Sequence, residues 1–355
     1  MQQNFSRRSL LRLAGAAGVA APGFAQRSYP DPIPYAADYV KPARVSLIHG
    51  EDRRKNMYDA LKAIESDIGP KIKQKEYVVI KPNNVSSRTQ LASNHADGLR
   101  GVLDFLEPYK KPVVIAESSG NPMLGFDNFG YMRLPNEYRG LNVKLVDLNA
   151  EKEFELAHIV DHNLHLVPVR LAKRLFDPDA FVLCAGVLKA HNTVVATLSI
   201  KNMTLGAPLR SAPGETPRWN DKRLYHGGVR QTHLGILYTA MKMAPYWGAT
   251  VLDGYEGMEG NGPSSGTPVD SRVAIASADL IAADRVGVGV MGIDPAWIGY
   301  LRYCDQAGLG QYDLDKIEII GAKIDDVKKK YLLHGDIEQE LMWMGPLEEL
   351  PPRLG

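Results

Sequence analysis

Cysteine is scarce in this chain: there are two in 355 residues, Cys184 and Cys304, and no C-x-x-C anywhere. An iron–sulfur cluster held by this chain alone is excluded on ligand count. Aromatic residues make up only 8%, and neither sign of charge dominates, with 42 lysines and arginines against 41 aspartates and glutamates. That balance leaves no basic footprint for nucleic acid or an anionic membrane surface. Several familiar motifs are missing too. No G-x-G-x-x-G opens a helix after the first strand, and there is no Walker A loop, G-x-S-x-G elbow or H-E-x-x-H. Standard nicotinamide, P-loop, α/β-hydrolase and zincin chemistry lose most of their support. Neither an internal repeat nor a low-complexity tract appears.

What is present is an ordinary globular composition, 45% hydrophobic and 23% charged, behind an N-terminal address. Ser6-Arg7-Arg8-Ser9-Leu10-Leu11 is a twin-arginine signature followed by an Ala/Gly-rich segment and a small-x-small end at Gly23-Phe24-Ala25. Residues 1–25 read as a signal peptide cut after Ala25, with Arg7 and Arg8 read by the Tat translocase and the mature protein periplasmic or extracellular. A retained membrane anchor is the alternative, but the apolar run is shorter than the ~20 residues a span requires. After cleavage no integral membrane domain is expected. Removal of the signal leaves 39 basic and 41 acidic side chains, a net charge of −2.

Residues 26–43 form a proline-rich leader. Beyond it, Arg44–Ile48 reads as a strand, and Asn56 to Ile68 as an amphipathic helix closed by Gly69-Pro70. Short β-branched runs follow at Tyr77–Ile80, Pro112–Ala116, Val143–Val146 and Ala180–Leu188, with a helix at Ala96–Leu106 between the first two. Near-continuous apolar runs imply strands buried on both faces, hence parallel. Residues 193–203 read as a helix stopped by Gly206, 207–232 as a long excursion over the site, and Leu234–Met243 as a helix. Strands at Ala249–Leu252, Arg272–Ala276 and Lys316–Ile320, a helix capped by Asp279 and a closing helix over Ile324–Leu333 complete the pattern. The fold class is α/β: a mainly parallel sheet with helices on both faces, in Rossmann-like layers with long loop insertions. Residues 44–340 form the α/β domain, as one sheet or as two lobes with the second from about 180, and 341–355 a tail.

Nearly every strand ends on polar groups, and in parallel α/β sheets ligands bind at that carboxyl edge. Lys81 and Asn83, Glu117, Lys189 and His191 stand at such ends, and Lys201-Asn202 follow in the next segment. The lysines would neutralise substrate charge, His191 would serve as acid, base or ligand, and Asn83, Glu117 and Asn202 would bind. If 193–203 is helical throughout, ten residues at ~1.5 Å rise put Lys201 about 15 Å from His191, and only a sharp turn would unite them. The glycine-studded loop Asp253-Gly-Tyr-Glu256-Gly-Met-Glu259-Gly-Asn-Gly-Pro263 carries three carboxylates that are hard oxygen ligands for a divalent metal or proton acceptors. It is not an EF-hand, and a solvated turn is the alternative. Asp147-Leu-Asn149 reads as a turn. His226 and His233, separated by Gly227-Gly228, do not have a clean metal-ligand spacing.

Five segments carry a resemblance. Val-Ile-Lys81-Pro-Asn83, Leu188-Lys189-Ala-His191, Ile200-Lys201-Asn202-Met-Thr-Leu-Gly206, the 253–263 stretch, and Ala278-Asp279 with Met291-Gly-Ile-Asp294-Pro295 occur in the order found in the domain of unknown function family number 362. The match runs from Tyr77 to Tyr300. Many members of that family carry ferredoxin-like cysteine motifs, so this chain resembles a ferredoxin-less member bearing a Tat signal. The two lysines and the histidine also resemble, at a distance, the arrangement in nickel-pincer lactate racemases, whose histidine and glycine-serine signatures this chain lacks.

The sequence therefore points to an exported α/β enzyme acting on a small anionic or oxygen-rich ligand in a carboxyl-edge cleft, its cofactor unassigned and a divalent metal the candidate. A non-catalytic periplasmic binding protein and an accessory subunit of a redox complex are the alternatives.

Overall fold

The structure, a computed structural model, describes residues 41–345 apart from Pro213. Arg7, Arg8, the cleavage point after Ala25 and most of the proline-rich leader lie outside the described residues. The fold is a mixed α/β arrangement around one large sheet. In chain order its strands are β1 (Ala43–His49), β2 (Tyr77–Lys81), β3 (Val113–Glu117) and β4 (Lys144–Asp147), then β7 (Ala180–His191), β8 (Val195–Thr197), β9 (Trp247–Glu259), β10 (Thr267–Ser277) and β11 (Ile317–Gly321). The order across the sheet is β11-β1-β10-β9-β7-β2-β3-β4, with β8 folded back on β7. All but β10 and β8 share one direction. The sheet continues across residue 180, because β7 pairs with β2.

The reason for burial on both faces is written in the strands. Val78 and Ile80 of β2, Ile115 of β3, Leu183 and Ala185 of β7 and Val251 of β9 face one apolar core. That core is covered by α1 (Arg53–Ala63), α2 (Glu65–Gln74) and α3 (Ala96–Leu106). The alternate residues Val79, Ala116, Val182 and Cys184 face a second core. It includes the hairpin of β5 (Phe154–Val160) and β6 (Leu166–Ala172), which the sequence reading passed over. The period of two sends successive side chains to opposite faces, so a strand apolar at every position has to be covered twice. Further along the chain come α4 (Pro122–Asn128), α5 (Ser199–Gly206), α6 (Val229–Met243), α7 (Leu280–Val290) and α8 (Gly299–Gln306). None of the described helices is long and apolar enough to cross a membrane.

Four expectations need correction. Gly69-Pro70 does not end a helix: the break falls at Ile64, and Pro70 sits exposed inside α2, where the carbonyl it leaves without a partner can face water. The helix expected at Ile324–Leu333 stops at Val327. Beyond it the backbone pairs elsewhere, Lys329 N–H with Val290 O at 2.8 Å and Tyr331 N–H with Met291 O at 3.0 Å. Residues 193–203 are not one helix: β8 returns antiparallel along β7, and α5 starts only at Ser199. The 253–259 stretch is not a loop, since β9 runs through it to Glu259 and pairs with β10 over Glu256↔Asp270 to Glu259↔Thr267. Asp279 caps α7 as expected, accepting from Ile281 N–H and Ala282 N–H. Asp147 makes the anticipated turn, accepting from Asn149 N–H at 2.9 Å.

Candidate functional site

Strands β2, β3 and β4 step to one side in chain order, and β7 then starts the other side by pairing with β2. The carboxyl ends of β2 and β7 therefore flank a topological switch point, the crevice where open α/β sheets bind ligands. A cavity of about 260 Å³ lies there. Lys81, Asn83, Glu117, Lys189, His191, Lys201 and Asn202 all line it. Lys81 and Glu117 are the last residues of β2 and β3, and Lys189 and His191 close β7. Lys201 joins them because β8 turns back, Thr197 opposite Lys189, and delivers α5 to the same rim. The separation of about 15 Å inferred for an unbroken helix is thereby avoided.

The floor is a tight polar network. Lys81 Nζ donates to Pro82 O at 2.7 Å, Glu117 Oε2 at 2.9 Å and Asn202 Oδ1 at 3.1 Å. Its ion pair with Glu117 is buried, the two side chains 1% and 4% exposed. Glu117 also accepts Asn84 N–H on Oε2 and Ser118 N–H on Oε1. A buried pair of this kind holds only if the remaining lone pairs and protons are satisfied, and here they are. Gly206 is required beneath it: a Cβ there would lie 2.5 Å from Lys81 Nζ. Lys189 Nζ donates to Asn83 Oδ1 and Ala92 O, each at 3.0 Å. Asn83 Nδ2 donates to Asn202 Oδ1 at 3.1 Å, joining the two lysines through amides.

Three further cations, Lys201, Lys222 and Arg210, line the same cavity. Among the described residues neither ammonium has a hydrogen-bond or ion-pair partner, and buried Arg210 Nε has none either. Both side-chain polar atoms of Asn84 and the hydroxyl of Thr197 are likewise buried without a protein partner. Burial, with Lys222 and Lys81 adding repulsion, lowers the Lys201 pKa to about 7. The same cause, partly offset by Glu117, brings Lys222 to about 8. Burial and then Lys201 hold Lys189 well below the usual lysine range. His191 is also pushed well below its ordinary value by burial, then by Lys201 and Lys189. Its Nδ1 accepts Thr193 N–H at 3.1 Å, so the neutral ring carries its proton on Nε2 and presents a donor.

The three carboxylates of the glycine-rich stretch are elsewhere. Asp253 continues the face of Val251, toward α1, where Arg53 Nε stands 3.4 Å away. It shares a separate shallow pocket with Glu256, Arg53 and His95. Glu259 accepts Leu332 N–H at 2.8 Å on the C-terminal segment. The cause is strand geometry: β9 runs from Asp253 to Met258 while β7 advances only from Val187 to Lys189, and that bulge shifts the side-chain phase of β9. Asp253 and Glu256 then fall together, and Glu259, three regular positions on, points away. Among the described residues no three histidine, cysteine, aspartate or glutamate side chains gather to hold a metal ion. The stretch does reach the cavity, through Pro263. Its neighbour Gly262 packs on the Ala190 carbonyl so closely that a Cβ would collide with it.

Lys222 and Arg210 are lining residues that the motif reading left out, although both belong to the excursion recognised as lying over the site; Asn84, beside Asn83 at the end of β2, lines it as well. His226 also lines the cavity, whereas His233 is buried away from it, accepting Tyr300 N–H. Cys184 lies under the floor, its thiol raised to about 12 by burial.

A family model matches residues 78–289, more than half of the chain and every residue lining the cavity. The chain belongs to the family described as Domain of unknown function (DUF362). A thylakoid-associated protein, sll1697, from Synechocystis sp. (strain ATCC 27184 / PCC 6803 / Kazusa) is 26% identical over 207 residues, which are 55% of this DUF362 chain and 59% of that relative. The chain thus spans less than two thirds of that relative's length. Among solved structures, the lactate racemase apoprotein from Thermoanaerobacterium thermosaccharolyticum is 12% identical, with a TM-score of 0.39 over 70% of this chain and 56% of its own. A Thermotoga maritima protein is 13% identical, with a TM-score of 0.35 over 58% and 51%. Those two likenesses are too loose to bear on the chemistry of the cavity.

Proposed function

We propose that this DUF362 protein is an enzyme that captures a small, multiply anionic metabolite in the switch-point cavity and moves a proton on it. One observation carries the reading: among the described residues four lysines and an arginine line the cavity against a single carboxylate, and that carboxylate, Glu117, is already committed to Lys81. Unpaired charge withdrawn from water is expensive, so buried Lys201 and half-buried Lys222 and Arg210 are arranged for an anion that supplies what the protein withholds. Two or more negative groups match three free cations better than one. The case for an enzyme over simple capture rests on Lys189 and His191. Anion capture needs charge, whereas both of these are driven toward their neutral forms beside the cations, as acid–base groups are. In this reading His191 Nε2–H donates to an oxygen of the ligand, and the neutral Lys189 amine is the group that acts on it. The twin-arginine signature at Arg7 and Arg8 supports placing this activity outside the cytoplasm.

Titration calorimetry with oxalate and with inorganic phosphate tests the proposal. Oxalate is expected to bind the wild-type protein, and Lys201→Gln and Lys222→Gln are each expected to weaken it by about 10- to 100-fold, the contribution of one charged hydrogen bond. Failure of both anions to bind would overturn the reading. So would binding that survives the double substitution unchanged.

A further inference from the structure

Lys81 and Lys189 are both buried lysines at strand ends, yet their surroundings count protons differently. An ammonium has three N–H groups and no acceptor, whereas a neutral amine has two N–H groups and one lone pair. Lys81 meets three oxygens, one of them a carboxylate: Pro82 O, Glu117 Oε2 and Asn202 Oδ1. That set fits an ammonium. Lys189 meets two oxygens, both neutral, Asn83 Oδ1 and Ala92 O, and among the described residues no ion pair includes it. These two acceptors consume the N–H groups of an amine and leave the lone pair as the remaining vertex. Asn83 cannot turn to offer Lys189 anything else, because its own Nδ2 is held by Asn202. Lys189 is 1% exposed and still lines the cavity, among the free cations Lys201, Lys222 and Arg210. A desolvated lysine beside another cation is how an amine is kept nucleophilic at neutral pH.

We infer that Lys189 is an amine nucleophile that condenses with the carbonyl group of a small anionic aldehyde or 2-oxo acid held by the neighbouring cations. The inference rests on the anion-binding reading above and names its substrate class. The lone pair of Nζ forms a bond to the carbonyl carbon as the C=O π pair moves to oxygen, and one N–H proton passes to that oxygen. The carbinolamine then loses the oxygen with the second N–H proton as water, leaving a C=N bond that takes up a solvent proton. Nothing is oxidised or reduced. His191 Nε2–H is placed to donate to an oxygen of the bound ligand, and the resulting iminium draws electrons from the adjacent carbon, easing loss of a proton or carboxylate there. Burial of the amine, with the Lys201 charge second and Glu117 opposing, favours the neutral form that attack requires.

Glyoxylate, an aldehyde bearing a carboxylate, is the probe. The full chain is incubated with glyoxylate and sodium cyanoborohydride near pH 7, and the carboxymethyl-lysine formed by reduction of the imine is located by peptide mass mapping. An ordinary lysine is only ~0.1% neutral at that pH, so labelling of Lys189 should exceed that of any surface lysine by at least about tenfold. Oxalate, which has the charge without the aldehyde, should protect it, and Lys189→Arg should abolish it. Mapping the wild-type protein decides the matter even where the variant misfolds. Labels confined to surface lysines, or a buried label on Lys201 in place of Lys189, would overturn the inference. If oxalate binds by calorimetry and Lys189 is not labelled, this inference fails and the anion-binding reading stands; if oxalate does not bind, the reading beneath it fails.

Discussion

Anion affinity should fall as the pH rises through neutrality, and the fall should belong to two named lysines. Burial lowers Lys201 to about 7 and Lys222 to about 8 in the ligand-free protein. A bound dianion opposes burial by stabilising each ammonium, so binding must take up protons wherever the free lysine is partly neutral. At 4 Å and an effective dielectric of 20 the attraction between unit charges is about 4 kcal/mol, which sets a ceiling. A hydrogen bond to a charged group contributes ~1.5–3 kcal/mol after desolvation, so each lost ammonium should weaken binding by about 10- to 100-fold. Oxalate itself is fully ionised throughout. Affinity is therefore flat below about pH 6 and declines above about pH 7, and the loss approaches its limit as both lysines become neutral. Calorimetric titration between about pH 6 and 9.5, in two buffers of different ionisation enthalpy, measures the affinity and the protons taken up together. Lys201→Gln should remove the lower limb of the decline and Lys222→Gln the upper. A pH-independent affinity, or proton release on binding, would refute the assignment of these lysines to the anion.

The same groups act on stability in the opposite sense. Lys201 and Lys222 bind protons more weakly folded than unfolded, so the ligand-free protein should gain stability as pH rises from about 7 toward the unfolded lysine value near 10.4, read as a rising melting temperature. Oxalate should raise that temperature most at the acid end. Glu117→Gln removes the carboxylate paired with buried Lys81 and should destabilise by about 3–5 kcal/mol in guanidinium unfolding; a loss below ~1 kcal/mol would mean that this pair does not hold the floor together. Glu256→Gln and Glu259→Gln should leave oxalate affinity within about twofold, since neither side chain lines the cavity or shares a partner with its lysines, and a large effect would return those carboxylates to the cavity.

The legible part of the site was the part that strand geometry dictates. A run such as Tyr77–Lys81, apolar at every position and ending on a cation, can hardly be anything but a doubly covered strand with its charge at the rim, and Lys189 ends β7 in the same way. What sequence spacing could not provide was phase. Asp253, Glu256 and Glu259 look equivalent when written as a loop, but the bulge of β9 against β7 between Asp253 and Met258 sends them to different surroundings. The glycines that marked the stretch as irregular serve close backbone packing inside a long strand and its turn, with Gly262 against the Ala190 carbonyl. Lys222 and Arg210 sit in a segment with little periodicity, so nothing in their spacing announced where the chain would bring them.

A second limit is set by hydrogen-bond counting, which is invisible in one dimension. Lys81 and Lys189 have the same side chain, similar flanking runs and the same degree of burial, and a sequence reading assigns both to charge neutralisation. Their difference arises from chain segments far away: Glu117, 36 positions on, supplies Lys81 with a carboxylate, while Lys189 receives only the Ala92 carbonyl, 97 positions back, and the amide of Asn83. One carboxylate shared between two buried lysines would leave both half-satisfied. Given wholly to Lys81, with Asn84 and Ser118 N–H groups holding it in place, it fixes one lysine as structure and releases the other for chemistry. The two Asn side chains between them keep that division sharp: Asn202 Oδ1 accepts from Lys81 and Asn83, and Asn83 Oδ1 is thereby turned to accept from Lys189. Asn202→Asp would put a second carboxylate against Lys81 and keep an acceptor for Asn83 Nδ2, so the Asn83 amide should hold its orientation. Lys189 would then keep Asn83 Oδ1 as its acceptor, and glyoxylate labelling at that position should persist while Lys81 remains paired; loss of the label would refute this division of roles.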